Sequence, residues 1–240
     1  MFSCYLPYEH LLQKPVSELF KGIRHRFELA AKTRGFFHMY QALDFSQKRV
    51  LDIGCSYGEF LIYAKKGSLG ITTLQNEADT AASIGLDVMV GNVNDRSTFD
   101  ELKKHGSFDT LYTVNIFEHV DSPHIFLREL YALADDHTKL VLGVPVFPWP
   151  NALMNIKKFS GSLAHEHINF FTKNTLLETI KRSGWIIEVQ RPFIFQTPWL
   201  DRLVSFLSPQ QYIFAKKNPT FQYPARKLNE IGDRGATYRI

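Results

Sequence analysis

The chain has 240 residues, of which 45% are hydrophobic and 14% aromatic, a composition that fills one sizeable core and excludes a disordered chain. Lysine and arginine exceed aspartate and glutamate by 28 to 24, and the resulting net charge of +4 is too small and too scattered to argue for a nucleic-acid partner. The two cysteines stand far apart in the sequence, which argues against a disulfide framework and fits a reducing compartment. No apolar run reaches the roughly 18 residues that a membrane-spanning helix needs. We therefore expect a cytoplasmic protein with no membrane span.

The predicted elements alternate between helices and strands along the chain. One or two amphipathic helices over 16–43 precede a buried strand in RVLDIGC, and GEFLIYAKK is predicted to form a helix after the glycine turn. Further strands are predicted over 69–74, 87–93, the first part of 108–120, 139–147, 185–195 and 210–217, and further helices over 76–85, 122–134, 173–184 and 199–207.

Strands separated by single helices predict parallel pairing with right-handed crossovers, which gives a doubly wound α/β sheet. We divide the chain into an N-terminal helical extension (1–47), a ligand-binding domain (48–217) and a tail (218–240) that is expected to be extended. The aromatic and proline-rich stretch 147–171 is predicted to be an insertion that faces the substrate. Ligands in such sheets bind beyond the carboxyl ends of the strands, so the residues there are the candidates for a site.

The stretch VLDIGCSYGEF, residues 50–60, joins a buried strand to a turn that contains two glycines. Gly54 and Gly58 allow positive φ angles and close approach of a ligand, and the first amides of the following helix are expected to point outward as donors. A dehydrogenase fingerprint is excluded, because it needs G-x-G-x-x-G, and a P-loop is excluded because no Gly-Lys-Ser/Thr follows. The turn is predicted to hold a nucleotide-like or carboxylate-bearing ligand.

The order hydrophobic, hydrophobic, Asp, hydrophobic, Gly, Cys, x, x, Gly resembles motif I of the class I S-adenosylmethionine-dependent methyltransferases. Downstream, FDTLYTVNIFEHV and its continuation to VPV resemble the fourth strand, helix and fifth strand of that superfamily, and HEHINFF with the helix after it resembles a region of members that methylate small metabolites, sugars and quinone precursors. The resemblance implies a seven-stranded, mostly parallel Rossmann-like sheet and S-adenosyl-L-methionine as cofactor. It also implies a small-molecule acceptor, with O-methylation of a sugar or polysaccharide precursor favoured.

The same resemblance assigns cofactor contacts to the ends of the first four strands. Asp52 is implied to accept from the methionyl amine, and Ser56 stands where glycine is commonest and can add a hydroxyl hydrogen bond. Thr72 stands where the ribose hydroxyls usually meet an acid, so neutral side chains are the implied substitutes. The implied cofactor contacts are Asp52, Gly54, Cys55, Ser56, Tyr57, Gly58, Thr72, Thr73, Gln75, Asn92, Val93, Asn115, Ile116 and Phe117.

Candidate catalytic residues lie after the fourth strand and in the insertion. His119 can act as a general base beside the transferred methyl group, or Glu118 and His119 can merely begin the next helix and bond to its backbone. His165 and His167 point to one face if HEH is extended, and they can then line the acceptor pocket.

A metal-assisted alternative also stays open at this point. Superfamily members that methylate quinone precursors and small RNAs hold a divalent ion with Glu-x-x-Glu-His and a distant histidine. In this chain Asn115 replaces the first glutamate, so the favoured prediction is a site without metal. The alternative ligand set is Glu118, His119 and either His165 or His167.

Two rival functions remain at the level of sequence. In one, the chain is a nucleic-acid methyltransferase whose helices at 16–43 and basic tail grip phosphates. In the other it is a non-catalytic, methyltransferase-like binding protein. This hypothesis rests on Thr72, Asn92 and Asn115, which stand at positions that usually carry other polar or acidic residues. The sequence makes no prediction of the oligomeric state.

Overall fold

The computed structural model of the protein describes residues 43–149, 163–193, 195 and 197–222. The predicted N-terminal helices over 16–43, apart from Leu43, lie outside the described residues. The same holds for the middle of the predicted insertion and for most of the predicted tail. None of the helices in the described ranges is long and apolar enough to cross a membrane.

Strands and helices alternate along the described chain as the sequence predicts. The strands are β1 (Val50–Ile53), β2 (Leu69–Thr72), β3 (Val88–Val90), β4 (Thr110–Val114), β5 (Lys139–Phe147), β6 (Phe171–Thr172), β7 (Trp185–Arg191) and β8 (Gln210–Lys217). The α-helices are α1 (Gln75–Ser83), α2 (Arg96–Leu102), α3 (Pro123–Leu133), α4 (Lys173–Lys181) and α5 (Pro198–Val204). Short 3-10 helices cover Phe45–Gln47, Leu61–Tyr63 and Lys103–His105.

One sheet with the strand order β3-β2-β1-β4-β5-β8-β7 organises the molecule, and the two-residue β6 pairs with β5. Strand β8 is antiparallel to both β5 and β7, and the other pairings are parallel. These findings confirm the predicted doubly wound, mostly parallel sheet. The chain moves outward from β1 to β3 and then returns to β4 on the other side of β1. The order of the strands therefore reverses between β1 and β4, and ligands bind at such a switch point.

Both faces of the sheet are covered by apolar side chains. Leu51 and Ile53 of β1 belong to the larger core cluster, which also holds the buried residues of α2, α3 and α4. Val50 and Tyr112 belong to a second cluster on the other face. Because side chains alternate along a strand, Asp52 lies on the face of Val50, and its register partner on β4 is Tyr112.

The segment after the glycine turn differs from the sequence prediction. GEFLIYAKK was expected to be a helix, but only Leu61–Tyr63 is helical, and it is a 3-10 turn. The backbone N–H of Lys65 donates to the carbonyls of Phe45 and Lys48, which draws the chain away from a helical path directly after this turn. The expectation that the amides of a following helix serve as ligand donors is therefore wrong.

Helix α2 was not predicted from the sequence. Its sequence, RSTFDEL, is mainly polar, and only Thr98, Phe99 and Leu102 are buried. The apolar stripe is therefore confined to two turns, too short for a clear helical period. By contrast, the N-terminus of α3 carries strong signals, because Ser122 accepts from the Ile125 N–H and Pro123 occupies the first turn.

Candidate active site

The glycine turn is fixed to the carboxyl end of the neighbouring strand β2. The backbone N–H groups of Gly54 and Cys55 both donate to the carbonyl of Ile71, at 2.9 Å each. Gly54, Ser56 and Gly58 have positive φ angles of 78°, 49° and 84°. Ser56 thus holds a left-handed conformation that glycine adopts at little cost, so a serine here needs a compensating interaction.

Two predicted cofactor contacts of the turn, Cys55 and Tyr57, are buried. The Cys55 sulfur packs so closely over Gly70 that a Cβ on that glycine would lie 2.5 Å from it. The Cys55 side chain therefore serves the packing of the turn against β2, and its backbone groups are the ones left to reach a ligand.

Asp52 is buried without a cationic partner among the described residues. Its side chain is 2% exposed, and its Oδ2 atom has no hydrogen-bond partner. Loss of solvation raises the pKa of Asp52 to about 8. An unsatisfied buried carboxyl group at a ligand-binding strand end is suited to a cationic ligand, because an ammonium group would both neutralise it and fill its empty acceptor. The methionyl ammonium of S-adenosylmethionine fits this requirement.

A carboxylate that the sequence analysis did not single out lies at the end of β2. The hydroxyl of Ser56 donates to Oε1 of Glu77 at 3.1 Å, and the hydroxyl of Thr72 donates to the other carboxylate oxygen. Thr72 is buried, and its proton is engaged by Glu77. Of the other predicted ribose contacts, Thr73 is exposed and the Gln75 amide donates to Asp79 at 2.8 Å.

The end of β3 offers one exposed polar residue. Asn92 is exposed, and its side-chain oxygen accepts from the Asn94 N–H at 3.0 Å. A cofactor group that donates to this oxygen, as the implied contact requires, would therefore share it with the Asn94 N–H. Val93 is partly buried and packs against the larger core cluster.

The loop after β4 lies against the glycine turn. Asn115 has a φ of 58°, and its side-chain oxygen accepts from Gln210 at 2.9 Å. Ile116 covers Gly54 so closely that a Cβ on the glycine would lie 2.0 Å from its Cδ1 atom. Phe117 is fully buried and stacks on Phe171 at 5.1 Å between ring centroids. The side chain of Phe117 therefore belongs to the core, and a contact of this residue with the cofactor would have to come from its backbone.

Glu118, His119 and His167 come together at the end of this loop. One ligand atom from each of the three lies within 4.8 Å of the others. Nε2 of His119 is 3.9 Å and Nε2 of His167 is 3.8 Å from the same oxygen of Glu118. Burial raises the pKa of Glu118 to about 8, and its second oxygen has no hydrogen-bond partner. Such a group can share a proton with imidazole or serve as a metal ligand.

The described end of the predicted insertion is fastened to the same loop. The backbone N–H groups of Ile168 and Asn169 both donate to the carbonyl of Glu118 at 3.0 Å, and the Asn169 side chain donates to the carbonyl of Val120 at 2.6 Å. These hydrogen bonds hold the segment that contains His167 beside Glu118. The HEH stretch is not extended, because the His167 N–H closes a turn onto the carbonyl of Ala164. The expectation that His165 and His167 share a face is therefore wrong, and His165 is exposed outside the cluster.

Comparison with known proteins agrees with this architecture. A family model described as a methyltransferase domain matches residues 23–188. A methyltransferase of Mesorhizobium loti that depends on S-adenosylmethionine is 16% identical, with a TM-score of 0.56 over 78% of this chain and 99% of that one. One from Archaeoglobus fulgidus is 18% identical, with a TM-score of 0.55 over 80% and 99%. A Thermotoga maritima protein described as a possible histamine N-methyltransferase is 17% identical, with a TM-score of 0.54 over 84% and 98%.

At these identities the solved structures bear on the fold, whereas the family model covers more than half of the chain and bears on membership. The switch point between β1 and β4, with its glycine turn and unsatisfied acid, is where such a fold binds its ligand. The chain thus belongs to the methyltransferase-domain family, and it is an S-adenosylmethionine-dependent methyltransferase of the class I superfamily.

Proposed function

We propose that this enzyme binds S-adenosylmethionine at the glycine turn and methylates an oxygen atom of a small-molecule acceptor, with a sugar or polysaccharide precursor as the favoured class. The observation that carries this proposal is the cluster of Glu118, His119 and His167 beside the turn. The similarity of the HEHINFF region to sugar and metabolite methyltransferases supports the choice of acceptor, by analogy.

The hydrogen bonding of His119 prepares it to accept a proton. Its Nδ1 atom lies 2.9 Å from the carbonyl oxygen of Glu166. A carbonyl can only accept, so Nδ1 carries the hydrogen and Nε2 keeps its lone pair in the neutral ring. Nε2 can therefore take the proton of an acceptor hydroxyl. Glu118, 3.9 Å from it, would stabilise the imidazolium that forms when its own carboxyl group is ionised, and its raised pKa of about 8 places that condition at mildly alkaline pH.

The proposed cofactor and acceptor sites are joined by one short loop. Ile116 contacts Gly54 of the turn, and Glu118 and His119 follow it by two and three residues. When bound, S-adenosylmethionine supplies an electrophilic methyl group on its sulfonium. Asp52 would hold its ammonium group, and the loop would keep the acceptor hydroxyl beside His119. Much of the rate would come from this fixed orientation.

The exposure and charge of the cluster favour a small acceptor. The His167 side chain is 12% exposed and that of His119 is 34% exposed. A hydroxyl on a compact molecule can reach the partly exposed His119 ring. A nucleic acid would need a broad basic surface, and the net charge of +4 is spread along the sequence.

The proposal is tested by following labelled methyl transfer from S-adenosylmethionine to nucleotide sugars, simple phenols and RNA. We expect transfer to a hydroxyl of a small acceptor, and a decrease of about a hundredfold in kcat for His119→Asn. His167→Asn should also lose activity, whereas His165→Asn, two residues away on the same loop, is the matched control and should not. Transfer to RNA alone, with salt-dependent binding, would establish the nucleic-acid rival. A folded protein that binds neither S-adenosylmethionine nor S-adenosylhomocysteine would support the non-catalytic rival.

A metal-assisted version of the reaction is the second candidate, because the three side chains also converge as ligands would. In a tetrahedral zinc site, bonds of about 2.1 Å place neighbouring ligand atoms about 3.4 Å apart. The two distances from the Glu118 oxygen to the histidine Nε2 atoms, 3.8 and 3.9 Å, exceed this slightly, and the three ligand atoms together lie within 4.8 Å, so the set would have to contract around an ion. Bound metal would occupy the Nε2 lone pair, so His119 cannot be ligand and base at once. Calorimetric titration with Zn²⁺ and Mn²⁺ distinguishes the metal-assisted reaction from the general-base reaction. Metal binding that is lost in Glu118→Gln and in His167→Asn, but kept in His165→Asn, would favour the metal-assisted reaction.

A further inference from the structure

Glu77 connects the two parts of the cofactor site that lie at the ends of β1 and β2. It belongs to the first turn of α1, and both oxygens of its carboxylate accept hydrogen bonds. Ser56 of the glycine turn donates to one oxygen at 3.1 Å, and Thr72 at the end of β2 donates to the other. A single carboxylate is thus fixed between two neighbouring strand ends by two side chains that do not belong to its own helix.

The carboxylate of Glu77 keeps unused capacity for a ligand. A carboxylate has about four acceptor sites, and the hydroxyls of Ser56 and Thr72 use two of them. Glu77 is half-buried, and no ion pair joins it to a lysine, arginine or histidine within the described parts of the chain. Two further donors can therefore bind without displacing Ser56 or Thr72.

A second observation marks the same region as a ligand site. The Oδ2 atom of Asp52, one strand away, is buried and has no hydrogen-bond partner. By contrast, the hydroxyl of Thr72 donates to Glu77 and accepts from the Leu74 N–H at 3.3 Å, which leaves little capacity for a ligand. β2 therefore ends without an acid of its own, but the carboxylate of Glu77 reaches this position from α1.

We propose that Glu77 binds the two neighbouring hydroxyls of the adenosyl ribose, the role for which Thr72, Thr73 and Gln75 were the candidates. Thr72 and Ser56 are then positioning residues that orient Glu77. The inference rests on the proposed function, in which the cofactor binds at the glycine turn. It explains how a chain without an acid at the end of β2 offers a charged acceptor there, and hydrogen bonds to a charged acceptor are stronger than those to a neutral one.

Binding of S-adenosylhomocysteine, measured by calorimetry, gives the first test. Glu77→Gln keeps the shape but removes the charge, and we expect its Kd to rise about tenfold or more. Asp79→Asn is the matched control, because Asp79 is an exposed acid on the same helix and bonds to Gln75. Its Kd should change by less than about twofold. Equal affinities of Glu77→Gln and wild type would overturn the inference.

A comparison of two ligands tests the same contact within one protein at a time, so partial unfolding of a variant would weaken both ligands alike and leave their ratio unchanged. We expect wild type to bind 5′-methylthioadenosine about tenfold more tightly than its 2′-deoxy form, and Glu77→Ala to bind the two with similar affinity. If Glu77→Ala still discriminates as wild type does, Glu77 does not contact the hydroxyl and the inference fails. If wild type binds neither S-adenosylhomocysteine nor methylthioadenosine, the proposed cofactor site itself is wrong, so the two failures are distinguishable.

Discussion

Substitution of Gly54 by alanine should damage the protein more than the same change at another glycine with positive φ. Gly54 has a φ of +78°, and a Cβ there would lie 2.0 Å from Cδ1 and 2.6 Å from Cγ1 of Ile116. Rotation of the Ile116 side chain about χ2 can move Cδ1 away from the added Cβ, but the contact with Cγ1 remains. Cγ1 cannot easily move, because a β-branched side chain is stiff at χ1. The left-handed conformation costs about 1–2 kcal/mol and the overlap about 1–3 kcal/mol, so we expect a loss of about 2–5 kcal/mol.

Gly85 provides the matched control, because its φ is +85° and a Cβ there would meet nothing within 4 Å. Gly85→Ala should therefore cost only the conformational part, about 1–2 kcal/mol. Urea unfolding measures both losses as changes in midpoint at constant m-value. Ile116→Ala removes Cγ1 and Cδ1, so the double variant with Gly54→Ala should lose less than the sum of the two single losses. Equal losses for Gly54→Ala and Gly85→Ala, or additivity in the double variant, would refute this reasoning.

Three further outcomes are expected. Burial raises the pKa of Asp52 and of Glu118 to about 8, so the folded state binds these protons more tightly than the unfolded state does, and stability is lost as pH rises from the ordinary carboxyl pKa near 4 to about 8. The Tm of the ligand-free protein should fall between about pH 5 and about pH 8, less steeply in Asp52→Asn; an identical slope in both proteins contradicts the assignment. Asn169→Ala should loosen the loop that carries the histidine cluster and lower methyl transfer about tenfold while S-adenosylhomocysteine binds as before; a parallel loss of binding would show that the loop serves the cofactor instead. Ser56→Gly should relieve backbone strain yet release Glu77, so unfolding should require as much urea as in wild type, or more, while S-adenosylhomocysteine binds more weakly; unchanged binding would remove Ser56 from the site.

The sheet could be predicted because its strands are centred on apolar runs and are separated by clear turn signals. The bounds of β5 and β8, at 139–147 and 210–217, match the predicted ones. The failures have a common physical cause, since periodicity is informative only when an element is long. α2 has seven residues, and the expected helix after the glycine turn is replaced by three residues of 3-10 helix. α2 is too short to show a helical period, whereas after the glycine turn the hydrogen bonds from the Lys65 N–H to the carbonyls of Phe45 and Lys48 outweigh the local helical preference.

The site was only partly predictable for a different reason. Sequence reasoning assigned contacts to residues that immediately follow the strands, and it passed over Glu77 because that residue lies inside a helix. Helical side chains lean toward the N-terminus of their helix, so a residue in the first turn of α1 reaches back to Thr72. Likewise, the turn at residues 164–167, which separates His165 from His167, depends on hydrogen bonds between loops that are distant in sequence.

The left-handed serine in the glycine turn becomes understandable once Glu77 is included. A third glycine at position 56 would adopt the φ of 49° without strain, but it could not bond to a carboxylate. Serine carries a conformational cost of about 1–2 kcal/mol and provides a hydroxyl whose hydrogen bond to a charged group contributes about as much. The exchange is close to neutral for stability, so its advantage has to lie in ligand binding. β2 carries no acid at its end, so Ser56 in the turn and Glu77 on the helix act as a pair. We expect neither residue to support cofactor binding well without the other.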